Sequence, residues 1–128
     1  MRGVLGVGID LVSISEIKDL DERTKGAFVK QTYSEIEKED AKSASNYYEF
    51  LAGRFAVKEA VYKAICGSFT DINFDFRRVE TKRMSNGAPK FIQNEQLLKI
   101  LKTIGATDVK ISISNQGDLA IAIAELIS

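Results

Sequence analysis

"FLAGRFAVKEAVYKAI", residues 50–65, is apolar around nearly its whole circumference when wound as a helix at about 100° per residue. Phe50, Val57, Val61 and Ile65 gather on one side, and Tyr48, Leu51, Phe55 and Tyr62 form a second group. Ala52, Ala56, Ala60 and Ala64 make a third, thin stripe where another backbone or a ligand can come close. A helix that is greasy on every side is a central one. Ser43-Ala44-Ser45-Asn46 supplies start signals, so the spacing predicts a helix from Asn46 to Ile65. Its charges do not form the broad arc of a solvated face. Arg54 and Lys58 share one narrow sector, and Glu59 falls between Phe55 and the alanine stripe with Lys63 one turn further on. On an exposed helix a Glu and a Lys four residues apart add only roughly 0.2–0.5 kcal/mol. Burying either one unpaired costs several kcal/mol, so a half-buried Glu59 needs a partner.

Working outward, "GVGIDLV" (6–12) alternates Leu5, Val7, Ile9 and Leu11 with Gly6, Gly8 and Asp10, which predicts a strand with one greasy face. Its other face has two positions without a side chain, then a carboxylate. Ser13-Ile14-Ser15-Glu16 has capping-box spacing and predicts a short helix. Thr32-Tyr33-Ser34-Glu35 repeats that spacing, and the acidic stretch through Asp40 reads as a solvated helix. Beyond the long helix, Cys66 to Asp71 reads as a loop containing Gly67. Ile72, Phe74 and Phe76 then alternate as a half-buried strand running on through Val79 and Thr81. Ser85-Asn86-Gly87-Ala88-Pro89 is a turn, followed by a short strand from Lys90 to Gln93. Leu97, Leu98, Leu101 and Ile104 mark an amphipathic helix that Gly105 ends. Val109, Ile111 and Ile113 alternate into the hairpin signal Asn115-Gln116-Gly117-Asp118. Leu119 to Ile127, apolar on both faces, reads as a central strand. With no linker or repeat, this order predicts a single α+β domain over residues 1–128, an antiparallel sheet on a long central helix.

Composition narrows the chemistry. The 18 basic and 18 acidic residues cancel, so net charge offers no argument for nucleic acid or a membrane. No apolar run approaches the roughly 18 residues of a membrane span, and the N-terminus does not read as a signal peptide. One cysteine, Cys66, makes neither an internal disulfide nor a Cys-based zinc site, as suits a reducing cytoplasm. The chain contains no histidine. That removes Ser-His-Asp and Cys-His nucleophile activation and His-ligated zinc. Proton transfer must then use a carboxylate, a lysine, a tyrosine or water, and any metal must be held by oxygen.

Asp10 and Glu59 are the two acids in apolar surroundings. Asp10 either caps the helix that begins near Ser13 or shares a divalent cation with Glu59. In the second case Gly6 and Gly8 leave room for whatever the cation holds. Arg54, Lys58 and Lys63 supply the positive charge that phosphates require. Two carboxylates and several cations suit a Mg²⁺-bound phosphate or pyrophosphate better than a bare ion.

"GVGIDLVSI" together with "FLAGRFAVKEAVYKAI" resembles the 4′-phosphopantetheinyl transferases of the holo-acyl-carrier-protein synthase type, over nearly the full chain. Gly8-Ile9-Asp10 matches the family's first motif, and Arg54-Phe55-Ala56 with Lys58-Glu59-Ala60 and Lys63 matches its second. Asn86-Gly87 and Pro89 match a weaker turn motif, and "ISIS" (111–114) with "LAIAIA" (119–124) the closing strands. The resemblance implies the family's fold and the transfer of phosphopantetheine from coenzyme A to a serine of an acyl carrier protein, in the service of fatty acid biosynthesis. Adenosine 3′,5′-bisphosphate is then the second product. It implies Mg²⁺ held by Asp10 and Glu59, and a homotrimer with active sites between subunits. Asp10, Glu59 and Lys63 become the catalytic group, with Lys63 on the pyrophosphate and Glu59 the candidate base. Arg54, Lys58, Lys63, Asn86, Gly87, Pro89 and Asn115 are the expected coenzyme-binding residues.

Three places depart from the pattern. Glu16 stands where the family usually has a basic residue that helps dock the acidic carrier. Asn115 ends Ser112-Ile113-Ser114-Asn115 where the family has histidine; it can donate a hydrogen bond but carries no charge. Cys66-Gly67-Ser68-Phe69 replaces a Gly-Thr-Gly loop. Tyr47, Tyr48 and Tyr62 read as core or subunit contacts rather than stacking platforms for the coenzyme. Two other readings stand beside the enzyme: a non-catalytic coenzyme A-binding module, and a structural subunit in which Glu59 pairs only with Lys63.

Overall fold

The computed structural model describes residues 3–66, 75, 79–92 and 94–128. Along the chain run β1 (Val4–Ser13), α1 (Ile14–Arg23), α2 (Ala27–Thr32), α3 (Glu35–Ser43) and α4 (Tyr47–Cys66). They are followed by β2 (Glu80–Arg83), β3 (Pro89–Ile92), α5 (Glu95–Ile104), β4 (Asp108–Gln116) and β5 (Leu119–Ile127). Of the loop predicted from Cys66 to Asp71, Cys66 is instead the last residue of α4, and the rest, the alternation Ile72, Phe74 and Phe76, and Gln93 lie outside the described residues. Thr81 belongs to a strand as expected, and Val79 lies buried just before it.

Local signals set most boundaries. Ser13 caps α1, its Oγ accepting the Glu16 N–H at 3.3 Å. Asp118, from the turn joining β4 to β5, accepts from the Ser13 and Ser15 hydroxyls at 2.7 Å and from the Ser15 N–H at 2.9 Å. The cap role open to Asp10 is therefore taken by Ser13 and Asp118. The second capping box lies two residues later than expected. Ser34 Oγ accepts from Glu37 N, and the Ser34 N–H donates to Glu37 Oε1 at 3.0 Å. Asn46 opens α4, its Oδ1 accepting the Glu49 N–H at 3.1 Å. Gly105 ends α5 with φ +91, a conformation that glycine alone adopts without strain.

The main sheet has the antiparallel order β1-β5-β4, and β2 pairs with β3 in a separate hairpin. β5 is central, as its two apolar faces predict. Its small face, Ala120, Ala122, Ala124 and Leu126, is buried against α4. α4 is the central helix, with Leu51, Ala52, Ala56, Val57, Ala60, Val61, Ala64 and Ile65 all buried. Tyr47 and Tyr48 stack edge to face at 5.0 Å, and the Tyr48 hydroxyl donates to Asp21 at 2.8 Å.

β1 corrects two expectations. Gly6 and Gly8 do not clear space for a ligand; they admit the backbone of α4. A Cβ on Gly6 would stand 2.5 Å from the Ala64 carbonyl oxygen, and one on Gly8 would collide with that of Ala60. The alanine stripe is thus approached by a strand backbone. The bulky face of β1 is the other surprise: Val7, Ile9 and Leu11 are 54–60% exposed, and Leu119, Ile121 and Ile123 of β5 continue the same face. The sheet buries its small residues and presents its large ones outward.

Candidate active site

Asp10 is carried by β1 opposite Ala122, and Glu59 and Lys63 sit four residues apart on the side of α4 that crosses it. Lys63 Nζ donates to Asp10 Oδ1 at 3.0 Å and to the Ile9 carbonyl at 3.0 Å. Lys63 remains half-exposed, while the Asp10 side chain is only 15% exposed. Burial pushes the Glu59 carboxyl above its ordinary pKa; the neighbouring Asp10 carboxylate pushes it the same way, and Lys63 opposes both. Three residues from two segments about fifty residues apart thus share one electrostatic neighbourhood. Glu59 forms no ion pair among the described residues, and no third carboxylate or thiol joins the two acids there. This donor set suits a hard divalent cation that takes its remaining ligands from water and phosphate oxygens.

A second cluster opens on another side of α4. A cleft of about 470 Å³ is lined by Phe50, Gly53 and Arg54 of α4, by Gly87 and Ala88 of the β2–β3 turn with Pro89 at the start of β3, and by Ile111, Ile113 and Asn115 of β4. Four expected coenzyme-binding residues, Arg54, Gly87, Pro89 and Asn115, are therefore brought to one place. Asn86 shapes the turn beside them, its Oδ1 accepting the Ala88 N–H at 3.0 Å. Arg54 is only 6% exposed, and its guanidinium lies 4.2 Å from the centre of the Phe50 ring. Burial lowers its pKa, Glu37 and Asp40 oppose that, and the positive charge of Arg83 lowers it further.

Lys58 is not part of either cluster. Its ammonium is fully buried, donating to Glu37 Oε1 at 2.7 Å and to the Val79 carbonyl at 2.6 Å. The expectation that it binds phosphate is corrected: its charge is held by a carboxylate with no contact to solvent. Glu37, read as part of a solvated helix, is 0% exposed and also accepts from the Thr81 N–H and hydroxyl. The signal for it was the Ser34-x-x-Glu37 spacing, hidden by the overlapping Thr32-x-x-Glu35. Arg83 was missed too, since one basic residue before a turn carries no local signature.

A model of the 4′-phosphopantetheinyl transferase superfamily matches residues 6–124. The holo-[acyl-carrier-protein] synthase of Clostridium kluyveri is 36% identical over 121 residues, covering 94% of this chain and 88% of that protein. The crystal structure of holo-[acyl-carrier-protein] synthase from Neisseria meningitidis shares the fold with a TM-score of 0.86 at 29% identity, covering 97% of this chain and 98% of that one. The ACPS–CoA complex from Chronobacterium ammoniagenes matches with a TM-score of 0.82 at 29% identity, covering 98% and 96%.

Proposed function

The chain belongs to the 4′-phosphopantetheinyl transferase superfamily, and on that premise we propose that it moves 4′-phosphopantetheine from coenzyme A to a serine of an acyl carrier protein, with Mg²⁺ held by Asp10 and Glu59. Adenosine 3′,5′-bisphosphate is the second product. The convergence of Asp10, Glu59 and Lys63 carries the reading. In the reaction the serine hydroxyl oxygen bonds to the phosphorus bearing pantetheine, and the bond from that phosphorus to the bridging pyrophosphate oxygen breaks. Such a transfer needs positioning and charge neutralisation above all. When bound, Mg²⁺ supplies neutralisation of the pyrophosphate.

The chain's own groups do the rest. Lys63, anchored on Asp10 yet half-exposed, is the cation we assign to the leaving phosphate. Glu59, the carboxylate that α4 brings beside Asp10, is the candidate acceptor for the serine proton. The Arg54 cleft, with Gly87, Pro89 and Asn115, takes the adenosine end of the coenzyme. Its opening on a different side of α4 supports an active site completed between subunits, one chain's cleft meeting another's acids. The exposed aliphatic face of β1 and β5 supports association with further copies, because apolar patches of this kind are interaction surfaces, and the family resemblance makes that assembly a homotrimer. No described helix is long and apolar enough to cross a membrane; a cytoplasmic location is part of the same proposal. Glu16, exposed in the first turn of α1, favours a carrier less acidic than usual; a carboxylate there also complements the helix dipole.

Incubation with coenzyme A, Mg²⁺ and a set of apo carrier proteins tests the proposal. A phosphopantetheinyl mass gain on a carrier serine, lost when the metal is chelated, is the expected result. Coenzyme A binding with no gain on any carrier would replace the transferase with a binding module.

A further inference from the structure

Among the described residues β2 and β3 pair only with each other, and a lone two-stranded hairpin is marginal in water. This one is weakened at its outer end. Lys82 stands directly opposite Lys90, and Pro89, opposite Arg83, has no N–H to give. The turn beyond them is nonetheless firm. The Met84 N–H donates to the Ala88 carbonyl and the Gly87 N–H to that of Met84, both at 2.9 Å, so the turn follows β2 as a unit. It brings Gly87 and Ala88, with Pro89 after them, onto the cleft beside α4 and β4. The place of that wall is therefore set by whatever holds β2.

α3 holds it, with two carboxylates three residues apart on one helical face. Glu37 accepts the Thr81 N–H at 3.2 Å from within its buried pairing with Lys58. Asp40 accepts the Arg83 N–H at 2.9 Å, at the surface and next to the turn. The two side chains take the place of a third strand along an edge that would otherwise be bare. Glu37 is tied to the core as well. Among the described residues the Asp40 side chain makes one hydrogen bond, the one to the hairpin, and it does not line the cleft.

We infer that Asp40 is a positioning residue for the coenzyme: by latching β2 at Arg83 it sets where the turn stands over the cleft, without itself touching the ligand. The effect on the ligand rests on the reading of the cleft as the coenzyme site; the latch does not. The negative charge of Asp40 also favours the charged form of Arg54, so the test has to separate the bond from the charge.

Asp40→Ala removes the acceptor, and Asp40→Asn keeps an acceptor oxygen without the charge. In the unliganded Asp40→Ala protein, amide hydrogen exchange over residues 82–90 is expected to quicken by about three- to ten-fold, as loss of one hydrogen bond warrants, while α4 and β5 exchange at the parental rate. Titration calorimetry should show coenzyme A binding weakened by a similar factor. In the transfer assay KM for coenzyme A should rise with kcat unchanged. Asp40→Asn should bring exchange and affinity back close to the parent. Unchanged exchange in the hairpin, faster exchange throughout the fold, or an Asp40→Asn as impaired as Asp40→Ala overturns the latch. A loosened hairpin with coenzyme A affinity untouched overturns the positioning role. A parent that binds no coenzyme A, with its hairpin still loosened by Asp40→Ala, sinks the reading of the cleft instead and sustains the latch.

Discussion

Glu59 is half-buried beside Asp10, and that position sets two opposed expectations for Glu59→Gln. Transfer to the carrier should fall by about 10²–10⁴-fold, the range for loss of a positioned proton acceptor. Stability without metal should rise. A carboxyl whose folded pKa lies above its ordinary 4.5 is harder to ionise in the fold than in the unfolded chain. Its contribution therefore turns unfavourable as pH climbs from below that value through the folded pKa. The melting-temperature gap between variant and parent should open over that window and persist at neutral pH. Because the carboxyl keeps contact with water, the gap corresponds to less than ~1 kcal/mol. Thermal melts across pH, with chelator present, check the sign; a parent more stable than Glu59→Gln at neutral pH would remove the shared electrostatic neighbourhood. Asp10, Glu59 and Lys63 were legible as chemistry before the fold was known, since acids amid apolar residues demand partners. Their meeting was one of the two readings open for Asp10, and spacing alone did not choose it over a helix cap, because Asp10 and Glu59 sit on different elements.

The contact between β1 and α4 and the tie from α4 to β2 each depend on one residue. Gly8 lets the strand lie on the Ala60 carbonyl, so Gly8→Ala forces rigid backbone apart rather than a flexible side chain. The expected cost is about 3 kcal/mol or more, the upper end for overpacking, read by denaturant unfolding. Lys58→Met strands the buried Glu37 carboxylate and should cost about 3–5 kcal/mol. Adding Glu37→Gln should cost far less than its effect alone, because the two changes remove one interaction. Additive losses in that double-mutant cycle would mean that the pair is not coupled. If Lys58 bound phosphate, the variant would lose coenzyme affinity with little loss of stability; the buried geometry predicts the reverse. Element types were legible from period and caps: α4, α5 and the closing hairpin follow directly from spacing. α2 carried no clear periodic signal in so short a run, and Glu37 was misread because its burial comes from a lysine on another helix.

The single chain exposes the aliphatic face of β1 and β5, and the proposed homotrimer would cover it. Each such side chain gains roughly 1 kcal/mol on being covered. Ile121→Lys sets a charge in the middle of that face, opposite Leu11 and Ser114. The parent is expected to sediment as three chains. The variant should sediment as one, with unchanged helix content and without transfer activity, since its cleft would then lack another chain's acids. A parent that sediments as a single active chain would end the inter-subunit reading. Alternation along β1 showed at once that one face is bulky and the other nearly bare, yet not which of them faces the core. Period and side-chain volume are properties of neighbouring residues, so the amino-acid order by itself determined the long helix, α5, β1, the closing hairpin and the acids that demand a partner. Which strand face α4 covers, which lysine is locked against Glu37 and which arginine stands beside Arg54 were decided only by the tertiary structure. Those outcomes depend on contacts between distant segments, where close backbone approach and charge burial are settled by the packing of the whole chain.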